Sequence, residues 1–253
     1  QFNVAFSFVG GGQGDYVRES FGRYRYVGYR NGQYLPIVVL PSPQLHQLAD
    51  VRTSIQVMKN FSIAGEYAGS SYDANRFSVG DDKTGAAMKL AARYTPANVK
   101  IGRTDIGSFD FSLSDRYVSR NFFPVDRSDD VEFGRKWSLD STVTVQPTSE
   151  EIREARMAYN PLQTISIGGS LGSNRRGKQF SADRMEAFIQ MNADSLPKGD
   201  YTIEQITSSQ NTSAGENVWL RQRGTISYAL RTITPSFRVE SKKRTIASGA
   251  TDS

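Results

Sequence analysis

Hydrophobic and polar residues alternate with a period of two along most of the chain. From Val51 the odd positions are mainly apolar and the even positions are polar, and after the turn pair Lys59 and Asn60 the odd positions continue the series from Phe61 to Tyr67. Such alternation is typical of a β-strand with one apolar and one polar environment. Two runs joined by a short turn predict a β-hairpin.

The same alternation returns further along the chain, separated by tight turns and by longer polar loops. The segments that carry it are residues 88–94, 99–102, 109–114, 155–159, 165–171, 185–191, 201–204, 218–230 and 237–239. We therefore predict an all-β chain, an antiparallel up-and-down meander of roughly ten strands.

Helical signals are weaker than strand signals. Residues 150–157 are good helix formers that follow the candidate caps Thr148 and Ser149, so a short helix is a competing interpretation there. Tyr159 and Pro161 favour the strand.

The first 49 residues differ from the rest. A glycine- and tyrosine-rich hairpin is predicted between Gly10 and Tyr34, and residues 35–41 are apolar on both faces. We interpret the latter as a buried strand whose prolines place it at an edge or an end. The chain is thus expected to consist of a small β element, residues 1–49, which is an insert or a preceding domain, and a meander, residues 50–253.

Composition excludes several classes of protein. The 253 residues contain no cysteine and one histidine, His46, so neither a disulfide scaffold nor a thiolate or imidazole metal site is expected. No run of 18 apolar residues predicts a membrane-spanning helix. The net charge of +5 is spread along the chain rather than clustered, which argues against nucleic-acid binding.

Charged side chains in the middle of the polar faces and aromatic residues near the ends of the apolar faces favour a membrane protein. Membrane-spanning strands of about 9–11 residues place apolar groups toward lipid, aromatic groups at the interfaces and charges in a wet lumen. We therefore predict part of a transmembrane β-barrel. The residues expected to line its lumen are Arg184, Glu186, Glu204, Arg221, Arg223 and Arg238.

Alternation alone also fits a soluble or surface-tethered β-sandwich that acts as a binding or adhesion module. Its ligand would contact the aromatic residues between Tyr16 and Tyr34. The sandwich is the alternative to the barrel.

An enzyme is not expected, and no catalytic residue or cofactor is assigned. Residues 10–14 lack the Lys-Ser/Thr pair of a phosphate loop, and His46 has no nucleophile motif. Glu186 and Glu204 would be a glycosidase pair only at a suitable separation in space. Two acidic clusters are interpreted as solvated loops rather than calcium sites, because their spacing matches no calcium loop. They comprise Asp73, Asn75, Asp81 and Asp82, and Asp126, Asp129, Asp130 and Glu132.

Four stretches carry a family resemblance. Residues 61–84, residues 12–16 with 26–28, residues 129–137 and residues 218–222 resemble large, mostly uncharacterised outer-membrane β-barrel proteins of Bacteroidota and their Chlorobi and Ignavibacteria relatives. The resemblance implies a location in the bacterial outer membrane and a porin-like, transport or surface-anchoring role. It implies outer-membrane lipid as a partner, together with other chains of a surface or secretion assembly.

The chain does not end on a strand with a terminal aromatic residue and begins with Gln1, so it is expected to be a piece of a longer protein.

Overall fold

The computed structural model describes residues 4–38, 40, 42–80, 82–126, 129, 131–139, 147–193, 196–210 and 215–247. The chain divides into two compact units. Unit 1 comprises Gln1–Gln44 and Ala74–Gly80, and unit 2 comprises Leu45–Asp73 and Asp81–Ser253.

Unit 1 contains a small four-stranded sheet with the order β1-β4-β2-β3. Its strands are β1 (Ser7–Phe8), β2 (Tyr16–Ser20), β3 (Arg23–Tyr26) and β4 (Tyr34–Leu35). Gly14 and Gly32 form a bridge beside it. A Cβ atom at Gly14 would lie 2.3 Å from the backbone nitrogen of Tyr34, so only glycine allows the two chains to approach this closely.

The prediction of a buried strand over residues 35–41 is wrong for the residues that the structure describes. Strand β4 ends at Leu35, and Ile37, Val38 and Leu40 are exposed. Pro36 has no backbone N–H to donate, which explains why the strand does not continue. Val39 and Pro41 lie outside the described residues.

In its described residues, unit 2 is a long antiparallel sheet with one short helix. Its elements are β5 (Leu45–Met58), β6 (Phe61–Asp73), β7 (Lys83–Tyr94), β8 (Val99–Ile101), β9 (Thr104–Val118), α1 (Phe133–Trp137), β10 (Glu150–Leu162), β11 (Ile165–Arg176), β12 (Phe180–Met191), β13 (Lys198–Gln210), β14 (Glu216–Ser227) and β15 (Ser236–Ala247). Within the described residues the strand order is β5-β6-β7-β9-β10-β11-β12-β13-β14-β15, and β8 forms a short hairpin with β9. The prediction of an all-β, antiparallel up-and-down meander is confirmed.

Two local outcomes differ from the expectations. Residues 150–157 belong to strand β10, so the competing helix is wrong, and the helix that does form, α1, was not predicted. The long sheet begins at Leu45, five residues before the expected start of the meander at Asp50.

The register places most of the charged residues in the middle of the strands on one face of the long sheet. Glu186 on β12 lies opposite Glu204 on β13, and Glu204 lies opposite Arg221 on β14. The other face carries the apolar residues, of which Leu113 and Leu171 are 61% and 59% exposed. We call these two surfaces the charged face and the apolar face.

A cluster of buried apolar side chains lies on the charged face, between α1 and the strands β10 and β12. Its members are Phe133, Trp137, Ile152, Phe180 and Ala182, with Leu139 packed against them. Phe188 and Ile206, also on the charged face, are buried outside this cluster.

Candidate functional site

Helix α1 lies on the charged face and is held there by Trp137. The Trp137 side chain is fully buried. A Cβ atom at Gly172 on β11 would lie 2.8 Å from the ring atom Cη2 of Trp137, so glycine at this position leaves the space that the indole fills. On the charged face, β11 carries small and polar residues. Glycine is the smallest of them, and at position 172 it leaves a notch that the indole fills.

Polar contacts also hold the connection between β9 and β10 to the charged face. Lys136 Nζ lies 2.5 Å from Glu154 Oε1 on β10, and Arg221 Nη1 on β14 donates to the backbone oxygen of Arg135 at 2.8 Å. Because these contacts reach different strands, they fix α1 across the sheet rather than at one point.

Four of the six predicted lumen residues form one ion-pair cluster. Arg184 Nε donates to Glu204 Oε1 at 2.5 Å, and Arg184 also pairs with Glu186. Arg221 Nη1 reaches the second oxygen of Glu204 at 3.3 Å. The side chains are 12–15% exposed, so these charges are mostly removed from solvent. Arg184 also donates to the hydroxyl of Ser170 at 3.2 Å. We call Arg184, Glu186, Glu204 and Arg221 the Arg184 cluster.

The other two predicted residues share the charged face but lie outside this cluster. Arg223 lies opposite Thr202 on β13 and Glu240 on β15. It lines a cavity next to α1, whereas Arg238 lies opposite Thr225 and does not line that cavity. That these six residues border a lumen stays a prediction.

Cavities open between α1 and the charged face on both sides of the helix. One cavity of about 540 Å³ lies toward β5, β6, β7 and β9 and includes Arg52, Glu66 and Lys89. Another of about 280 Å³ lies toward β12–β15 and includes Arg223, together with the Arg184 cluster. The helix therefore separates two polar spaces above one sheet.

Sequence reasoning did not assign Arg156, Phe188 or Gly168 to this site. Arg156 Nη1 lies 3.6 Å from Glu186, and its guanidinium lies 4.2 Å from the centre of the Phe188 ring. Phe188 breaks the alternation of β12 because it packs against Gly168, where a Cβ atom would lie 2.7 Å from its Cζ. Arg156 lies between the apolar residues Ala155 and Met157, and this alternation could have assigned it to the charged face.

A second ion-pair cluster lies near the ends of the strands. Glu150 Oε1 accepts from Arg176 Nε at 2.6 Å, and Glu150 Oε2 lies 3.9 Å from Arg116. Arg116 also donates to Asp129 at 2.8 Å, which ties the β9–β10 connection to the sheet. Glu150 and Arg176 are terminal residues of β10 and β11, beyond the segments predicted from alternation.

The remaining candidates have structural contacts. His46 donates from Nε2 to the backbone oxygen of Phe123 at 2.8 Å and packs against Tyr72. Glu132 pairs with Arg135 at 3.3 Å. In the part of the chain that the structure describes, no group of three His, Cys, Asp or Glu residues could hold a metal ion. Asp81 and Asp130 of the acidic clusters lie outside that part. Gly10 and Gly12 adopt positive φ angles in a turn.

An aromatic belt runs along one end of the apolar face. The ring of Phe61 neighbours Tyr94, Tyr94 neighbours Phe111, and Phe109 stacks on Tyr159 with ring centres 4.8 Å apart. These residues come from four strands, β6, β7, β9 and β10. Four of the aromatic residues predicted at the ends of the apolar faces, Phe61, Tyr94, Phe109 and Tyr159, therefore lie on one face and at one end of the sheet, whereas Tyr67 lies toward the other end of β6.

The apolar face has an oblique boundary at the end of the sheet opposite the aromatic belt. Residues beyond this boundary, farther from the belt, are said to lie above it. Following paired residues across the sheet from Tyr67 on β6 leads to Arg175 on β11, Ser209 on β13 and position 247 on β15. The last apolar residues of those three strands on this face are Leu171, Ile203 and Val239. They lie four, six and eight residues earlier, after four, six and eight steps between strands. Four larger apolar residues of this face lie above this line by two residues or more, namely Leu45 on β5, Tyr117 on β9, and Val218 and Leu220 on β14.

Among the described residues, no helix is both long and apolar enough to cross a membrane. Comparisons with protein-family models, with curated proteins and with solved structures found no match.

Proposed function

We propose that the chain is a segment of a bacterial outer-membrane β-barrel whose apolar face contacts lipid and whose charged face borders an aqueous lumen. It acts as a porin-like pore, a translocation channel or an anchor for surface material. The mechanism is passive, because charged side chains select what passes and no chemical step is required.

Exposure of the apolar face supports this proposal. Leu90, Leu113 and Leu171 are each more than half exposed. Soluble proteins rarely leave a contiguous apolar patch larger than a few hundred Å² uncovered. Lipid acyl chains would remove this surface from water, and the aromatic belt would then lie at a membrane interface, where tyrosine and phenylalanine are enriched.

The oblique boundary of the apolar face is the observation that carries the proposal. Measured from Tyr67 to β11, β13 and β15, it falls by one residue for each strand crossed. With about 3.3 Å per residue and about 4.8 Å between strands, this slope corresponds to strands tilted by roughly 35° from the normal of a flat apolar slab. Strands of membrane barrels tilt by about 35–45°. A sandwich core imposes no such slope.

The contacts of α1 give the proposed lumen a constriction. A helix packed on the lumen face reduces the open cross-section, and it leaves polar cavities of about 540 and 280 Å³ on its two sides. Solutes or chains would pass between charged side chains of the sheet and the helix. Outer-membrane lipid and other chains of a surface or secretion assembly are the proposed partners.

A membrane-partition experiment tests the proposal. The full chain, refolded in detergent and mixed with phospholipid vesicles, should float with the vesicles in a density gradient after an alkaline carbonate wash. Unheated samples should migrate differently from boiled samples on a denaturing gel, because closed barrels resist the detergent until heated. A monodisperse chain in detergent-free buffer that does not float would contradict the proposal.

A binding module is the second candidate, and the aromatic face of unit 1 favours it. Phe8, Tyr34, Tyr16 and Tyr26 are paired in one row across all four strands. Phe8 and Tyr26 are 62% and 59% exposed. Binding of surface polysaccharide by the full chain, with an affinity lowered by Tyr26→Ala, would support this function, and loss of binding without loss of fold is the decisive readout.

A further inference from the structure

We propose that the charged face of β13–β15, beside α1, binds a multiply charged oxyanion of the phosphate type. The inference rests on the proposed function in one respect, namely that this face borders water. It adds the class of solute that the lumen favours.

The Arg184 cluster is balanced in charge, because Arg184 and Arg221 face the carboxylates of Glu186 and Glu204. The excess of cations lies in the lining of the adjoining cavity, which includes six cationic and four anionic side chains. An anion in this cavity would offset the excess of positive charge.

This cavity has a volume of about 280 Å³, and its further lining adds cations. Arg223 follows Arg221 by two residues on the same face of β14, and Lys242 on β15 lies opposite Arg221. Glu240 pairs with Lys242 at 2.7 Å and lies opposite Arg223, so two cations share one carboxylate at this end of the cavity. The cavity is several times larger than the volume of a water molecule, about 30 Å³.

The chemistry of guanidinium groups selects oxyanions. Each group presents N–H donors in a planar fork that matches two oxygens of a phosphate or carboxylate. Trp219 orients this part of the face, because the guanidinium groups of Arg221 and Arg244 lie 5.2 and 5.3 Å from its ring centre. A donor that is already positioned loses less freedom when the anion arrives.

Calorimetry with inorganic pyrophosphate tests the inference. The full chain in neutral detergent at low salt should release heat on titration with pyrophosphate, and Arg223→Gln should weaken the affinity about 10-fold or more, as expected for loss of a charge-assisted hydrogen bond. Arg175→Gln is the matched control. It removes the same charge from the apolar face, where Arg175 pairs with Asp183 at 2.8 Å, and should change the affinity less than about twofold.

The outcomes separate this inference from the proposed function. Absence of pyrophosphate binding, or an equal loss in both variants, would overturn the oxyanion site but would leave vesicle flotation unaffected. Binding by a chain that does not float would retain the site and remove the membrane role. Should Arg223→Gln fail to fold, Arg223→Lys keeps the charge without the planar fork, and an affinity equal to that of the native chain would also overturn the site.

Discussion

The two faces of the long sheet differ in the exposure of their side chains. On the charged face, Arg184 and Glu204 are 12% and 15% exposed, whereas Leu113 on the apolar face is 61% exposed. A sheet in a water-soluble sandwich shows the reverse, with its apolar side chains in the dry layer. The comparison shows that ion pairs and α1 enclose the charged face, and that the apolar face has the exposure that the proposed contact with lipid would cover.

The strands themselves do not depend on a two-sided core. The antiparallel pairing runs without interruption across the ten long strands of the described part of unit 2. In hydrocarbon such pairing is strongly favoured, because an unpaired amide has no water to bind. The variants below test separately the contacts that hold α1 on the charged face and the interactions that stabilise the sheet.

Removal of the Trp137 side chain should have the largest effect. Trp137→Ala deletes a fully buried indole, which typically costs about 3–5 kcal/mol. We expect the loss to fall on α1 while the strands remain paired. Limited trypsin digestion of the refolded chain should then cut after Arg135 and Lys136 at least about tenfold faster, because α1 is detached from the sheet in a larger fraction of the molecules.

Trp137→Phe is the control for this variant, because it keeps an aromatic ring in the notch and should remain close to native in cleavage rate. Equal cleavage in the native chain and in Trp137→Ala would show that the indole does not hold the helix on the charged face.

A charge on the apolar face is the next most disruptive change. Leu113→Arg places a guanidinium where lipid is proposed, at a cost of about 2–4 kcal/mol near the middle of a bilayer. Urea titration of the chain folded in vesicles should reveal that loss. Ser173→Arg is matched to it, because Ser173 lies on the same face above the apolar boundary, between Arg153 and Asp183. Equal stabilities of the two variants would contradict lipid contact at Leu113.

Neutralising Glu204 tests the enclosure of the charged face. Glu204→Gln leaves Arg184 and Arg221 without the carboxylate that they share, and the lost charge-assisted bonds should cost about 1.5–3 kcal/mol. Glu240→Gln removes a carboxylate that is 45% exposed and should cost less than about 1 kcal/mol. Urea titration in detergent measures both. A cost for Glu204→Gln no greater than that of Glu240→Gln would show that the cluster is hydrated like an ordinary surface pair.

The sequence predicted the meander and the faces because alternation is a local signal. The side chains of Glu186, Glu204 and Arg221 could be assigned to one face from parity alone, and the register confirms that they share it. The alternation does not determine which side chains of adjacent strands contact each other. The contact of Arg184 with Glu204 depends on the pairing of β12 with β13, which is set by the length of the connection between them.

Helix α1 could not be predicted by the same means. Its five residues, Phe133–Trp137, are too few to show a helical period, and the structure shows no side-chain cap at Glu132. The helix forms because tertiary contacts bury Phe133 and Trp137. The partner that admits Trp137 is Gly172, which in the sequence is one glycine among 22 and carries no signal of its role.

Gly172→Ala should have the smallest of these effects, and it tests the notch directly. The added methyl group would lie 2.8 Å from Cη2 of Trp137, so the indole must move, at a cost of about 1 kcal/mol for a mild overpacking. Gly69→Ala on β6 is the matched control, because no atom lies within 4 Å of a Cβ there. Trypsin cleavage after Lys136 should rise in Gly172→Ala alone, and combining it with Trp137→Phe should remove most of the increase, because the smaller ring vacates the space that the methyl group takes. A Gly172→Ala effect that persists unchanged in the double variant would place its cause in the strand rather than in the contact with the helix.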